Sequence, residues 1–110
     1  KLNKENCKID WTQPGRTIFN LIRGLSPYPS AWTVIKDGEN EWHVKIYKAI
    51  FEKQVHSDKI GKITTTKKEI FISTKDGQLK IESLQFPGKK RMQAHELLNG
   101  ISFSENAMAR

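Results

Sequence analysis

The apolar positions of this chain change period partway along it. Ile18, Leu21, Ile22 and Leu25 fall at i, i+3, i+4 and i+7, which is one stripe of a helix. Thr12 is the expected N-cap, Pro14 suits a first helical turn, and Gly24 with Pro27 ends the helix. Its opposite side carries Arg16, Asn20 and Arg23. After the turn at Pro27-Tyr28-Pro29-Ser30 the period falls to two. Trp32 to Ile35 reads as a strand and Asp37-Gly38-Glu39-Asn40 as its turn. The next strand sets Trp42, Val44 and Ile46 on one face and His43, Lys45 and Tyr47 on the other. Apolar residues on both faces at Ala49, Ile50 and Phe51 predict a bend or bulge. Residues 59–65 and 68–74 form further short strands, and Asp76-Gly77 is a hairpin signal. Leu79, Ile81, Leu84 and Phe86 line the next strand. The break in alternation between Ile81 and Leu84 places a bulge near Glu82 or Ser83. A short helical pattern with Met92, Leu97 and Leu98 stops at Asn99-Gly100.

These elements predict a mainly β fold. It is an open antiparallel barrel of the oligonucleotide/oligosaccharide-binding type, with about five to six strands, one N-terminal helix and one short C-terminal helix. A small sandwich is the alternative.

A length of 110 residues is that of one domain. Lys and Arg number 19 against 12 Asp and Glu, and the net charge of +7 favours an acidic partner. Cys7 is the only cysteine, which excludes an internal disulfide, and His43, His56 and His95 are too scattered for a zinc spacing. No run approaches the about 18 apolar residues of a membrane span. The polar start, residues 1–8, reads as a linker from a preceding domain. Residues 9–100 read as the domain itself and 101–110 as a tail. The expected setting is cytoplasmic, without membrane contact, and the expected state a monomer.

No pattern of catalytic residues stands out. Ser26, Ser30 and Ser57 lack the context of a nucleophile elbow, and Glu39 and Glu41 sit in a turn-rich patch that reads as solvated. The most informative stretch is residues 84–100. There a Pro87-Gly88 turn is followed at once by Lys89, Lys90 and Arg91, just ahead of the second helix. Cations before a helix N-terminus make an anion site, and phosphate is the fitting anion; a solvated loop is the competing reading. The face His43, Lys45, Tyr47 interleaves bases with an aromatic, as single-strand binders do, or is an ordinary half-exposed strand face. Arg16, Asn20 and Arg23 either contact phosphates or serve the scaffold, with Arg23 holding Asp10 or Asp37 and Asn20 satisfying a loop backbone. Trp11, Trp32 and Trp42 read as core or interface residues, Trp32 as packed behind the turn.

Three blocks together resemble the carboxy-terminal domain of methionyl-tRNA formyltransferases. They are Ile9-Asp10-Trp11; Ile18 through Pro27 running into Ala31-Trp32-Thr33; and Leu84-Gln85 through Gly88-Lys89-Lys90-Arg91-Met92 with Leu97-Leu98-Asn99-Gly100. Asn20, Arg23, Gly24, Pro27, Trp32 and Gly88 match the family's pattern. One departure is Ser30, where the family usually has glycine; a positive φ there would strain serine. The resemblance implies a barrel of the kind counted above and a parent enzyme that transfers a formyl group from 10-formyltetrahydrofolate to methionine on initiator tRNA. It implies that the catalytic residues and the folate co-substrate belong to an amino-terminal catalytic domain, so that none is carried onto this chain. This domain would hold the tRNA through its phosphate backbone, with Lys89, Lys90, Arg91, Lys45, Arg23 and Arg16 as the contacts. A domain of a related folate-dependent formyltransferase acting on sugar nucleotides or formyltetrahydrofolate, a purely structural support and an independent single-strand binder are the alternatives.

Overall fold

The computed structural model describes residues 5–110. Helix α1 (Gly15–Leu25) precedes strands β1 (Ala31–Asp37), β2 (Asn40–Lys53), β3 (Ile63–Thr65), β4 (Ile70–Thr74) and β5 (Gly77–Gln85). A two-residue strand β6 (Met92–Gln93), helix α2 (Ala94–Leu98) and a two-residue strand β7 (Met108–Ala109) follow. Of the stretch read as a linker, residues 1–4 lie outside the described residues; Glu5–Cys7 make a 3-10 turn, and Lys8 bridges Trp32 in parallel. All ladders between named strands are antiparallel, in the order β3-β4-β5-β2-β1-β7 with β6 on the end of β5. This is the mainly β barrel the pattern predicts. The expected third strand is shorter at its start, because Gly61 has φ +87° and turns the chain before Ile63.

The apolar stripe of α1 buries Ile18, Ile22 and Leu25 against the sheet. Its N-terminus differs from expectation. Thr12 does not cap it: the Thr12 amide and hydroxyl both donate to the Asp10 carboxylate, and Pro14 takes the N-cap position. The amide of Gly15 donates instead to Asp76 Oδ1 at 2.9 Å, an oxygen that also accepts the Thr74 hydroxyl at 3.0 Å. The Asp76-Gly77 turn thus joins β4 to β5 and also terminates a helix far away in sequence. The Gly15 amide holds the Asp76 carboxyl below its ordinary 3.8, with the Thr74 hydroxyl adding to the effect against the cost of burial. A carboxyl with a lowered folded pKa contributes stability above its unfolded value and loses it as pH falls through the folded one. Asp76→Ala is therefore expected to cost about 1–2 kcal/mol at neutral pH. In urea melts, the gap to the parent should narrow as pH falls below 3.8.

Alternation along β2 and β5 places Val44, Ile46, Leu79, Ile81 and Leu84 in the core. The expected bulge is present on both strands. Ile46 pairs with Leu84 and Lys48 with Ser83, leaving Tyr47 extra on β2; Ala49 then pairs with Ile81, leaving Glu82 extra on β5. Residues 101–110, which read from the sequence as a tail, run along the barrel. Lys62 bridges Met108, Ile35 pairs with Ala109, the Ala109 amide donates to Gly61 at 2.7 Å and the Ile63 amide to Ala107 at 3.1 Å. Strand β7 therefore spans the gap between β1 and the start of β3, and the barrel is nearly closed.

The tryptophans divide. Trp11 is buried, its indole N–H donating to Thr33 Oγ1 at 2.8 Å. Trp42 is half-buried against Phe86 and Phe103. Trp32, expected to be packed behind the turn, packs half-buried against the core from the outer side of β1, its neighbours Ala31 and Thr33 taking the interior. Its ring stacks on His43 with centroids 5.3 Å apart. Trp32→Ala should then cost less than the about 3–5 kcal/mol of a core tryptophan truncation, as read from a chemical denaturation curve.

Candidate functional site

Phe86 begins a turn in which Pro87 presets one φ and Gly88 supplies another at +74°, and the Lys89 amide donates back to the Phe86 carbonyl at 3.1 Å. Glycine at that position avoids the steric cost a side chain would meet at positive φ. The turn lifts Lys89 and Lys90 into solvent. It is tied to the sheet by Gln85, whose side-chain amide donates to the Lys89 carbonyl at 2.7 Å while its oxygen accepts the Tyr47 hydroxyl at 2.7 Å.

Arg91 is held differently. Pairing of β6 with Ser83 and Leu84 draws the chain back along β5. Arg91 Nε then donates to Ser83 Oγ at 2.8 Å, and its guanidinium lies over the Tyr47 ring, 4.4 Å from the centroid. Such a cation over an aromatic face contributes about 0.5–1 kcal/mol at an exposed site. The paired bulges supply both partners, since Tyr47 is the extra residue on β2 and Ser83 sits beside the extra residue on β5. Lys45 lies opposite Gln85 in the ladder and is exposed.

The cations do not run directly into the second helix. Strand β6 intervenes between the cations and α2, and the helix end is closed by its own capping box, with the Gln93 amide donating to Glu96 Oε1 at 2.8 Å. The cations sit on a tied turn, separated from the helix by β6.

On α1, Arg16 lies over the rings of Phe19 and Phe51 at 5.4 and 5.6 Å, and Arg23 lies over Phe19 at 5.7 Å. The bonds expected of this side, from Arg23 to Asp10 or Asp37 and from Asn20 to a loop backbone, are absent among the described residues. Arg23 Nη2 donates to Asn20 Oδ1 at 3.4 Å, whereas Asp10 is occupied by Thr12 and Gln13, and Asp37 accepts the amide and hydroxyl of Ser104. Gly24 has open space where a Cβ would lie, so packing does not demand glycine there. Ser30 adopts φ 76°, the left-handed conformation that strains a residue with a Cβ. None of Arg16, Arg23, Lys45, Lys89, Lys90 and Arg91 forms a salt bridge with a carboxylate among the described residues.

Tyr47 links the two groups of cations. Besides carrying Arg91, it lines a cavity of about 310 Å³ together with Phe19, Ile22, Arg23, Ser26, Lys48 and Ala49. Sequence reading names Tyr47, Arg23 and Arg91 but does not bring them together. It misses Ser83 and Gln85, whose only signal is a polar residue on each side of Leu84. The His43, Lys45, Tyr47 face is less open than a stacking platform, since Trp32 stacks on His43 and Arg91 occupies one face of the Tyr47 ring. Among the described residues no group of His, Cys, Asp and Glu converges to hold a metal, and no helix is long and apolar enough to cross a membrane.

Residues 1–102 match the family described as the formyl transferase, C-terminal domain. The chain is 59% identical over 107 residues to the methionyl-tRNA formyltransferase of Flavobacterium johnsoniae, covering 97% of this chain and 34% of that protein. It is 55% identical over 108 residues to that of Flavobacterium psychrophilum, covering 98% and 34%. To that of Parabacteroides distasonis it is 44% identical over 103 residues, covering 92% and 32%. The chain thus spans 32–34% of the length of these relatives. A crystal structure of a multiply substituted HypX from Aquifex aeolicus has a similar fold, with a TM-score of 0.66 at 19% identity over 94% of this chain and 19% of that one.

Proposed function

The chain belongs to the formyl transferase C-terminal domain family, and on that premise we propose that it is the C-terminal domain of a methionyl-tRNA formyltransferase and holds tRNA by its phosphate backbone. The observation that carries the reading is the exposed set Arg16, Arg23, Lys45, Lys89, Lys90 and Arg91, none neutralised by a carboxylate among the described residues, on a chain of net charge +7. Two of its parts are fixed in place before any ligand arrives: the turn by Gln85 and Arg91 by Ser83 and Tyr47. Preorganised cations lose less freedom on binding, so more of the electrostatic attraction appears as affinity.

In this reading the chemistry belongs to the rest of the parent enzyme. Formyl transfer from 10-formyltetrahydrofolate to the methionine of initiator tRNA takes place in an amino-terminal catalytic domain. The barrel orients the tRNA toward it, working in the cytoplasm as part of a monomeric enzyme. Backbone contacts position a nucleic acid without reading its sequence, so this domain adds affinity and orientation, and discrimination of the initiator arises elsewhere. A sugar-nucleotide formyltransferase would present one small diphosphate ligand and has no need of cations spread over a helix, a strand and a turn.

Competition separates these. With labelled initiator tRNA bound to the chain, unlabelled folded tRNA should displace it at far lower concentration than a sugar nucleotide or a short unstructured oligonucleotide. Equal displacement by the unstructured strand would favour a single-strand binder, and absence of tRNA binding at low salt would reduce the domain to a support for its catalytic partner.

A further inference from the structure

The cavity beside Tyr47 is more than a gap between α1 and the sheet. Its walls are apolar, from Phe19, Ile22 and Ala49, and its remaining lining includes Arg23, Tyr47 and Lys48. Its volume of about 310 Å³ lies at the lower end of the about 300–1,000 Å³ range of small-ligand sites, which leaves room for one heterocyclic base. Arg91 covers the Tyr47 ring and the Tyr47 hydroxyl is bonded to Gln85, so this aromatic wall is held in one orientation. Arg16 and Arg23 flank Phe19 in the same way. Among the described residues, Lys48 has an acidic neighbour, Glu82 at 3.7 Å. An apolar, aromatic-lined pocket among cations suits a base swung out of its stack while the adjoining phosphates engage the rim.

We propose that this cavity is a binding site for one unstacked nucleobase of the RNA. The inference rests on the RNA-holding reading above and adds to it a contact that is not electrostatic. RNA is read largely through splayed bases stacked on aromatic and guanidinium planes. It also assigns distinct tasks to the bulged region. Arg91 and Lys48 meet the backbone, and the wall between Tyr47 and Phe19 meets the base.

Two RNAs of equal length test it. One is a fully paired duplex, and the other the same duplex with a single unpaired 2-aminopurine. The chain should bind the second about tenfold more tightly, as one stacked base warrants, with a change in 2-aminopurine fluorescence. Ser26→Phe, which fills the cavity from its edge, should bring the two RNAs to the same affinity. Tyr47→Leu, which removes the aromatic wall, should do likewise, and it decides the matter if Ser26→Phe fails to fold. Equal binding of both RNAs by the parent chain, or a preference that survives both variants, would overturn the base site and leave the cavity to a protein side chain. Failure of the chain to bind even the paired duplex would overturn the RNA-holding reading itself, and the base site with it.

Discussion

Gly61→Ala should destabilise the domain by about 2–4 kcal/mol, the sum of a left-handed backbone penalty and lost buried hydrogen bonds. Gly61 sits at φ +87°, and a Cβ added there would lie 2.3 Å from the carbonyl oxygen of Ala109. The obstructing atom is backbone, so it has no side-chain rotation by which to yield. Relief requires β7 to move away. That movement breaks the Ala109 amide bond to Gly61 and the Lys62–Met108 bridge, and it exposes Ala107 and Ala109, now 0% and 4% accessible. The damage should therefore be local first and global second. Hydrogen exchange should quicken at Ile63, Ala109 and Arg110, whose amides form the closure, ahead of the core amides of β2 and β5. Urea melts would give the overall cost. A variant as stable as the parent would mean that the C-terminal segment is not what closes the barrel.

Lys89→Ala combined with Lys90→Ala should lower affinity for tRNA by about tenfold to a hundredfold near 0.1 M salt, the loss expected when two phosphate contacts and their released counterions disappear. Stability should stay within about 0.5 kcal/mol, as for exposed side chains that support nothing. Both side chains are exposed, and the turn is anchored through the Lys89 carbonyl, which the substitution keeps. Arg91→Ala should behave differently. It removes the Ser83 bond and the cation over Tyr47 as well as a charge, so it should reduce both stability and affinity. Filter binding or anisotropy alongside a thermal melt distinguishes the two patterns. Unchanged affinity in the double variant would remove the turn from the interface.

How far the chain could be read in advance follows how local each feature is. The stripe Ile18, Leu21, Ile22, Leu25 announces α1 because helical packing repeats along the sequence. The alternation of β2 and β5, and its interruption near Glu82 and Ser83, announces the strands and their bulge for the same reason. The cap of α1 was not legible, since the acceptor is Asp76, brought to Gly15 only by folding. Closure of the barrel was not legible either. Its strand is two residues long, Met108–Ala109, and its key residue is a glycine whose φ has no sequence signature of its own. At the candidate site the cations are plain in the sequence, whereas their placing around Tyr47 is not: Arg91 lies over its ring and Arg23 lines the same cavity, from positions far apart in the chain. Trp32 is a mixed case: a tryptophan after a turn reads as packed, and it does pack against the core half-buried, yet strand alternation puts it on the outer side of β1, where it stacks on His43.

A barrel that holds tRNA by its phosphates must lose affinity for it as salt rises. If about four phosphates are engaged, a fourfold rise in salt should weaken binding by about a hundredfold, with the logarithm of affinity falling linearly with that of salt concentration. Affinity that hardly changes with salt, or no binding at low ionic strength, would contradict that mode of binding.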